Sequence, residues 1–399
     1  MRILISGAGI AGPTLAYWLV RHGYEPTIVE RAPEPRAGGY IIDFWGAGFD
    51  VADRMGLVPA IRQAGYTVQE VRVVDSLGKH VTGFPAGVFD RLTHGRYASL
   101  PRGELSRTLL SAIEGKVEMI FGDSISGLRQ TGGAVQVTFE HADPREFDLV
   151  VGADGLHSRV RDLAFGPQPR FEQYLGYKAA AFEIPGYRPR DELVYVMYTE
   201  VGRQVVRFAM RGDRTMFLFT FADEDAADED AADAADVAAV RALVRRRFAT
   251  SGWEVPRILD ALDGCDDIYF DRVSQIRMPA EPGSWTRGRV TLIGDAASCV
   301  SLLAGQGSSL AMVAAYILAG ELHRAGGAVD DALRRYQSLF GPFVLSKQNA
   351  ALRLAGTFAP KSKFSLFLRN QIFSLMRVGW IANWAAGRDL VDRITLPDY

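Results

Sequence analysis

Three glycine-bearing turns, far apart in the chain, carry residues whose types and spacing could do chemistry. The first is Gly7-Ala8-Gly9-Ile10-Ala11-Gly12, a G-x-G-x-x-G spacing after an apolar run. In such a turn the first glycine permits a tight bend. The second lets backbone approach a pyrophosphate, and the third lets a helix pack on a strand. The start of that helix offers free N–H groups and positive potential. Glu30 closes the next apolar run, where a carboxylate accepts hydrogen bonds from a ribose diol. An acid there disfavours a ribose phosphate, so this loop should hold FAD or NAD rather than NADP.

The second turn, Gly152-Ala153-Asp154-Gly155, ends the apolar run FDLVV and precedes Ser158 and Arg159. It puts backbone and a carboxylate at the carboxyl edge of a buried strand, where open α/β sheets bind ligands. A plain β-turn is the other reading. The third turn follows GRVTLIGD at 288–295 and continues as AASCVSLLAGQGSS. Asp295, after Gly294, could hold a sugar-like hydroxyl. Gly305, Gln306, Gly307 and Ser308 open the next helix, whose positive end suits a developing anion. One such loop could hold a dinucleotide. Two this far apart imply that distant parts of the chain close on one large cofactor, the first at its pyrophosphate and adenosine, the second at a ribityl chain and isoalloxazine ring.

The elements that must position these turns are readable around them. RILIS at 2–6 and PTIVE at 26–30 read as buried parallel strands, with a helix over 13–23 between them. GGYIID at 38–43, followed by Gly46 and Gly48, is either a loop passing close to a flat ring or an ordinary loop. SLPRGELSRTLLSAI at 99–113 reads as a helix with Arg102 at its start, reaching cofactor phosphates or ribityl oxygens, or simply solvated. From 171 to 221 the chain turns β-rich, which suggests an antiparallel sheet. Phe208, Met210, Phe217 and Phe219 there could line an aromatic substrate pocket, with core packing the plainer alternative. The acid-alanine run 223–236 carries no assigned chemistry.

Composition narrows the class. A chain of 399 residues is long enough for two or three domains. A formal net charge of −2 favours neither nucleic acid nor an anionic membrane surface. Two cysteines, Cys265 and Cys299, fit a reducing cytoplasm. The six histidines show no ligand spacing, so no metal is expected. The apolar stretch 310–320 is too short to span a bilayer, and no membrane insertion is expected. A long apolar segment at 364–390 reads as helical, bracing the protein or, alternatively, lying on a membrane surface.

The set GAGIAG, Glu30-Arg31, Arg102, GADG and GDAA-(x)7-GQG resembles the single-component FAD-dependent aromatic hydroxylases, closest in layout to tetracycline-degrading monooxygenases. The resemblance covers roughly residues 1–335. It implies an α/β fold, with a Rossmann-like FAD-binding domain (1–72, 100–170 and 270–330), an interleaved antiparallel-sheet substrate domain (73–99 and 171–269) and a C-terminal helical segment (331–399). It implies that Gly7, Gly9, Ala11 and Gly12 line the pyrophosphate, and that Glu30, beside Arg31, binds the adenosine ribose. Arg102 would contact FAD. Asp154 and Gly155 belong to a motif linked to FAD and NAD(P)H. Gly294 and Asp295 would bind ribityl, 305–308 would face the flavin, and Asp43 would border it. The implied reaction reduces FAD with NADPH or NADH, forms a flavin C4a-hydroperoxide with O2, and transfers one oxygen to an aromatic or polyketide-like molecule, with no catalytic side chain. An FAD-dependent reductase or desaturase without oxygen transfer is the alternative. The protein would be a monomer or homodimer. Ser298 stands where the family has His, and Ser301-Leu302 where it has a Pro pair.

Overall fold

The computed structural model describes residues 1–35, 40–223, 236–281, 283–375 and 394–399. Strand Arg2–Ser6 is buried after its first residue and pairs in parallel with Glu25–Glu30 on one side and Leu149–Gly152 on the other. Such continuous apolar runs suit a sheet covered on both faces. The sheet runs Thr286–Arg287, Val290–Leu292, Leu149–Gly152, Arg2–Ser6, Glu25–Glu30, Glu118–Phe121. All three turns singled out in the sequence therefore leave the same carboxyl edge of three adjacent strands. Helix Ala11–Arg21 carries Pro13 in its first turn, where a missing N–H costs nothing, and Gly23 beyond its end takes φ +78°. It packs against helix Gly307–Arg324, which is buried along most of its length.

A second, seven-stranded sheet runs Ile268–Ile276, Glu172–Pro185, Arg214–Ala222, Arg203–Met210, Val194–Glu200, Glu70–Val74, His80–Pro85. It is antiparallel except where Val194–Glu200 meets Glu70–Val74. Side chains alternate across a strand, so the run RTMFLFTFA divides between two faces. Phe217, Phe219 and Phe221 point outward into a core with Val244, Phe248 and Ile258, contributed by helices Val237–Phe248 and Val255–Leu262. Phe208, Met210 and Met216 point inward, clustered with Tyr66, Phe89, Tyr195 and Leu218. The expectation that Phe217 and Phe219 line a pocket is thus corrected. They anchor the helices behind the sheet, with the Phe219 ring edge-on to Phe248 at 4.7 Å.

A two-stranded ribbon, Ile41–Trp45 against Tyr97–Pro101, joins the two sheets. Ile42 and Phe44 enter the main core, while Ile41 packs with the inward cluster of the second sheet. Asp43 and Trp45 share the Ile41 face. Helix Val329–Phe358 follows, and helix Lys363–Leu375 then lies on strand His80–Pro85. Most of the acid-alanine run (224–235), Gly38 and Gly39, and the second half of the 364–390 segment lie outside the described residues.

Candidate active site

The first and third turns touch. Gly294 takes φ +59°, and a Cβ there would sit 3.1 Å from the Ala11 Cβ. Gly7 takes φ +106°, a Cβ on it would lie 2.5 Å from the Ala153 carbonyl oxygen, and one on Gly12 would lie 2.0 Å from that of Gly7. Only hydrogen fits at either position. Gly9 differs, since its nearest neighbour would be an Arg102 guanidinium nitrogen at 3.6 Å. Gly7 and Gly12 therefore close the loop on the protein, whereas Gly9 faces a gap bordered by Arg102.

Arg102 is the first residue of helix Arg102–Ile113, and its guanidinium makes no hydrogen bond among the described residues. Its charge acts on Asp295, which opens the short helix Asp295–Ser298. Burial pushes the Asp295 carboxyl above its ordinary range, and Arg102 and a bond from the Cys299 thiol hold it down. A Cβ on Gly307 would lie 3.7 Å from an Asp295 oxygen. Tyr40, in the same field, is pushed up to about 12 by burial, with Arg102 opposing. Gln306 precedes helix Gly307–Arg324, and its side chain does not cap that helix among the described residues. Ser308 is half-buried in that first turn. Ser309 Oγ accepts from the Gly48 N–H at 2.9 Å, fastening this helix to the start of helix Ala47–Arg54, which follows strand Ile41–Trp45. Gly305, at φ +64°, would bring a Cβ within 3.5 Å of the Trp45 ring, whose buried indole N–H has no acceptor among the described residues.

Four expected residues behave differently. Both oxygens of Glu30 are engaged by backbone, accepting from Ala8 N–H at 2.8 Å and Ala32 N–H at 2.9 Å. Arg31 is exposed beside it. Asp154 is turned into its own loop, accepting from Ser158 Oγ at 2.5 Å and Val160 N–H at 3.0 Å, with burial raising its carboxyl. Gly155, at φ +82°, has open space around it. Asp154 therefore shapes the turn and the start of helix Arg159–Phe165, which Ser158 caps.

Arg161 and the hydroxyl partners of Asp43 were invisible in the sequence. Arg161, fully buried, donates to the carbonyls of Ala296 at 3.0 Å and Leu156 at 2.7 Å, binding the second turn to the third. A cation inside a helix reads as solvated, so nothing marked it. Asp43 Oδ1 accepts from Tyr97 at 2.6 Å and from Ser99, and Ser99 Oγ lies 3.3 Å from the Tyr195 hydroxyl. Burial raises the Asp43 carboxyl, and the two hydroxyl donors lower it. Ser301, in the position of the expected proline pair, is buried at φ +97°.

The donor set fits a dinucleotide. Among the described residues, a gap over Gly9, an unbonded guanidinium, an uncapped helix start, a buried carboxylate and an orphaned indole N–H lie around one edge of the parallel sheet. Among the described residues no cluster of three or more His, Cys, Asp or Glu could hold a metal, and no helix is long and apolar enough to cross a membrane.

A family described as FAD binding domain matches residues 1–344. The chain belongs to this family and is an FAD-dependent monooxygenase, an oxidoreductase using NAD(P)H and O2. It is 40% identical over 354 residues to an uncharacterized protein of Mycobacterium tuberculosis, covering 87% of this chain and 91% of that one. It is 31% identical over 407 residues to a flavin-dependent monooxygenase of Legionella longbeachae, covering 100% and 98%. The crystal structure of the tetracycline destructase Tet(51) superimposes with a TM-score of 0.82 at 31% identity, covering 100% of this chain and 99% of that one.

Proposed function

We propose that this monooxygenase acts on an aromatic or polyketide-like molecule held between the edge of the parallel sheet and the inward face of the seven-stranded sheet. The observation that carries this is the inward cluster itself. Tyr195 and Phe208 have rings 4.6 Å apart, Tyr66 meets Phe208 at 5.3 Å, and Met210 and Met216 fill between them. Phe208, Met210 and Met216 are fully packed, and the half-buried rings of Tyr66, Phe89 and Tyr195 in front of them offer a water-poor wall suited to a flat apolar molecule. The likeness to a tetracycline destructase supports a polycyclic substrate.

The same proposal assigns the cofactor contacts and divides the chain between the two sheets. Gly9 and the first N–H groups of helix Ala11–Arg21, with Arg102, would receive the pyrophosphate. Glu30 would exchange its backbone donors for a ribose diol. Asp295 would accept from ribityl hydroxyls, and the 305–308 backbone with the Trp45 N–H would meet the ring. FAD bound there supplies hydride acceptance from NAD(P)H and transfer of one oxygen atom from O2. The start of helix Gly307–Arg324 stabilises negative charge developing at its end. Gly7, Gly12 and Arg161 hold the three turns together. The inward cluster excludes water and fixes the substrate ring.

The test is NADPH and O2 consumption by the FAD-loaded enzyme with a panel of equal-sized compounds. Tetracycline and other polycyclic phenols should accelerate both. Saturated aliphatic compounds accelerating them equally would overturn the substrate class.

A further inference from the structure

Helix Lys363–Leu375 is inside out. Phe364, Phe367, Leu368, Ile372 and Leu375 are exposed, and the side chain that the helix buries fully is Arg369, 3% exposed. An amphipathic helix does the reverse. Burying a guanidinium is unfavourable unless a carboxylate or a full set of acceptors compensates it.

Arg207, equally buried at 3%, shows the ordinary solution, pairing with Asp191 and Glu254. Arg369 has no ion pair among the described residues. Its Nη1 donates to Thr199 Oγ1 at 2.9 Å, and its Nη2 and Nε both donate to Asn370 Oδ1, at 2.9 and 3.3 Å. The Phe373 ring lies 5.3 Å from its Cζ. These partners are neutral, and they engage three of the five N–H groups that a guanidinium carries. Thr199 Oγ1 also accepts from Gln204 Nε2 at 3.1 Å. With two donors on that oxygen, its own hydrogen points elsewhere. The cluster is therefore rich in donors and short of acceptors, the arrangement that binds a delocalised oxyanion. Burial lowers the guanidinium only to about 10, so it stays charged at neutral pH.

The place fits the substrate. Thr199 shares its strand face with Tyr195. Phe373 meets Phe84 at 5.4 Å, Phe84 meets Phe89 at 5.6 Å, and Phe89 stacks on Tyr97 at 5.8 Å, a row of rings leading to the Asp43 cluster.

We propose that Arg369, with Thr199, binds an oxyanion of the substrate, a carboxylate or an ionised enol or phenol, at one end of the inward face of the seven-stranded sheet. The inference rests on the substrate reading above and narrows it to acidic polycyclic molecules. Arg369 acts there as a specificity residue, outside the electron-transfer chemistry.

The experiment titrates FAD-loaded enzyme with 2-naphthoate and 2-naphthamide, following the flavin absorbance change, for the wild type, Arg369→Met and Arg369→Lys. Thermal unfolding of each in anion-poor buffer accompanies it. Naphthoate should bind the wild type about tenfold or more tighter than the amide. Arg369→Met should lose that preference and, having shed an uncompensated buried charge, melt at a higher temperature. Arg369→Lys should keep part of the preference. A purely structural arginine gives the opposite pattern, with Arg369→Met melting lower and the acid and amide bound alike. Equal binding of acid and amide by the wild type, no binding of either, or an unchanged preference in Arg369→Met each overturns the proposal. If Arg369→Met does not fold, Arg369→Lys with the wild-type preference fully intact does the same. The substrate reading is judged separately, by NADPH consumption with neutral polycyclic compounds.

Discussion

Gly9, in the first turn, and Gly12, at the start of the helix that follows, sit three residues apart, yet the geometry demands opposite consequences from the same methyl group. At Gly12 a Cβ would lie 2.0 Å from the Gly7 carbonyl oxygen, where real Cβ atoms keep beyond 3.0 Å. The backbone must shift to relieve this, which costs ~1–3 kcal/mol as overpacking. At Gly9 the nearest atom is 3.6 Å away, an ordinary contact, and the backbone lies outside the left-handed region. Gly9→Ala should therefore fold as the wild type does. Its methyl would stand where the pyrophosphate has to approach the backbone and Arg102. Losing one charge-assisted hydrogen bond costs ~1.5–3 kcal/mol, about tenfold to a hundredfold in FAD dissociation constant. The assay pairs urea unfolding of the apoproteins with fluorescence titration of FAD. Gly12→Ala should lose stability first, and Gly9→Ala should lose FAD affinity at unchanged stability. Equal stability losses in both, or wild-type FAD affinity in Gly9→Ala, would refute the assignment of Gly9 to the cofactor gap.

Other outcomes follow from the same geometry. Arg161→Met should orphan the buried carbonyl of Ala296 and the part-buried one of Leu156 and lower unfolding stability by ~1–4 kcal/mol, read from the urea midpoint. Tyr399 covers Gly320 and donates to buried Glu321 at 2.8 Å, so Tyr399→Ala should cost ~2 kcal/mol in the same assay. The bond to Asp271 raises His157 above its ordinary 6.5, so its contribution is full below that value and fades as pH rises through the folded-state value. Melting temperature between about pH 6 and 8 should therefore fall less steeply with pH in His157→Gln than in the wild type.

The sequence spoke most clearly where a residue type has few uses. Glycines at fixed spacing beside apolar runs located three turns on one sheet edge, and the structure brings Gly294 against Ala11. Where a residue has several uses, pattern did not decide. MFLFTF is apolar on both faces of its strand, and only helices Val237–Phe248 and Val255–Leu262, distant in sequence, determine that Phe217 and Phe219 face outward. Asp154 reads as a ligand group but is consumed by Ser158 and Val160, four and six residues on. Arg161 and Arg369 have the type of solvated residues, and their burial depends on carbonyls and hydroxyls contributed from far along the chain. Tyr97, Ser99 and Tyr195 meet Asp43 only because the ribbon and the seven-stranded sheet come together.

The most direct test of the central claim, that the joined turns hold FAD for oxygen transfer, is product mass after turnover under heavy-isotope oxygen gas. FAD-loaded enzyme, NADPH and a polycyclic phenol that accelerates turnover are sealed with the labelled gas, and the product is weighed by mass spectrometry. One labelled oxygen atom per product molecule is expected, with no label entering from labelled water. A product altered without any label, with NADPH consumed, would contradict the claim and mark the enzyme as a reductase or desaturase.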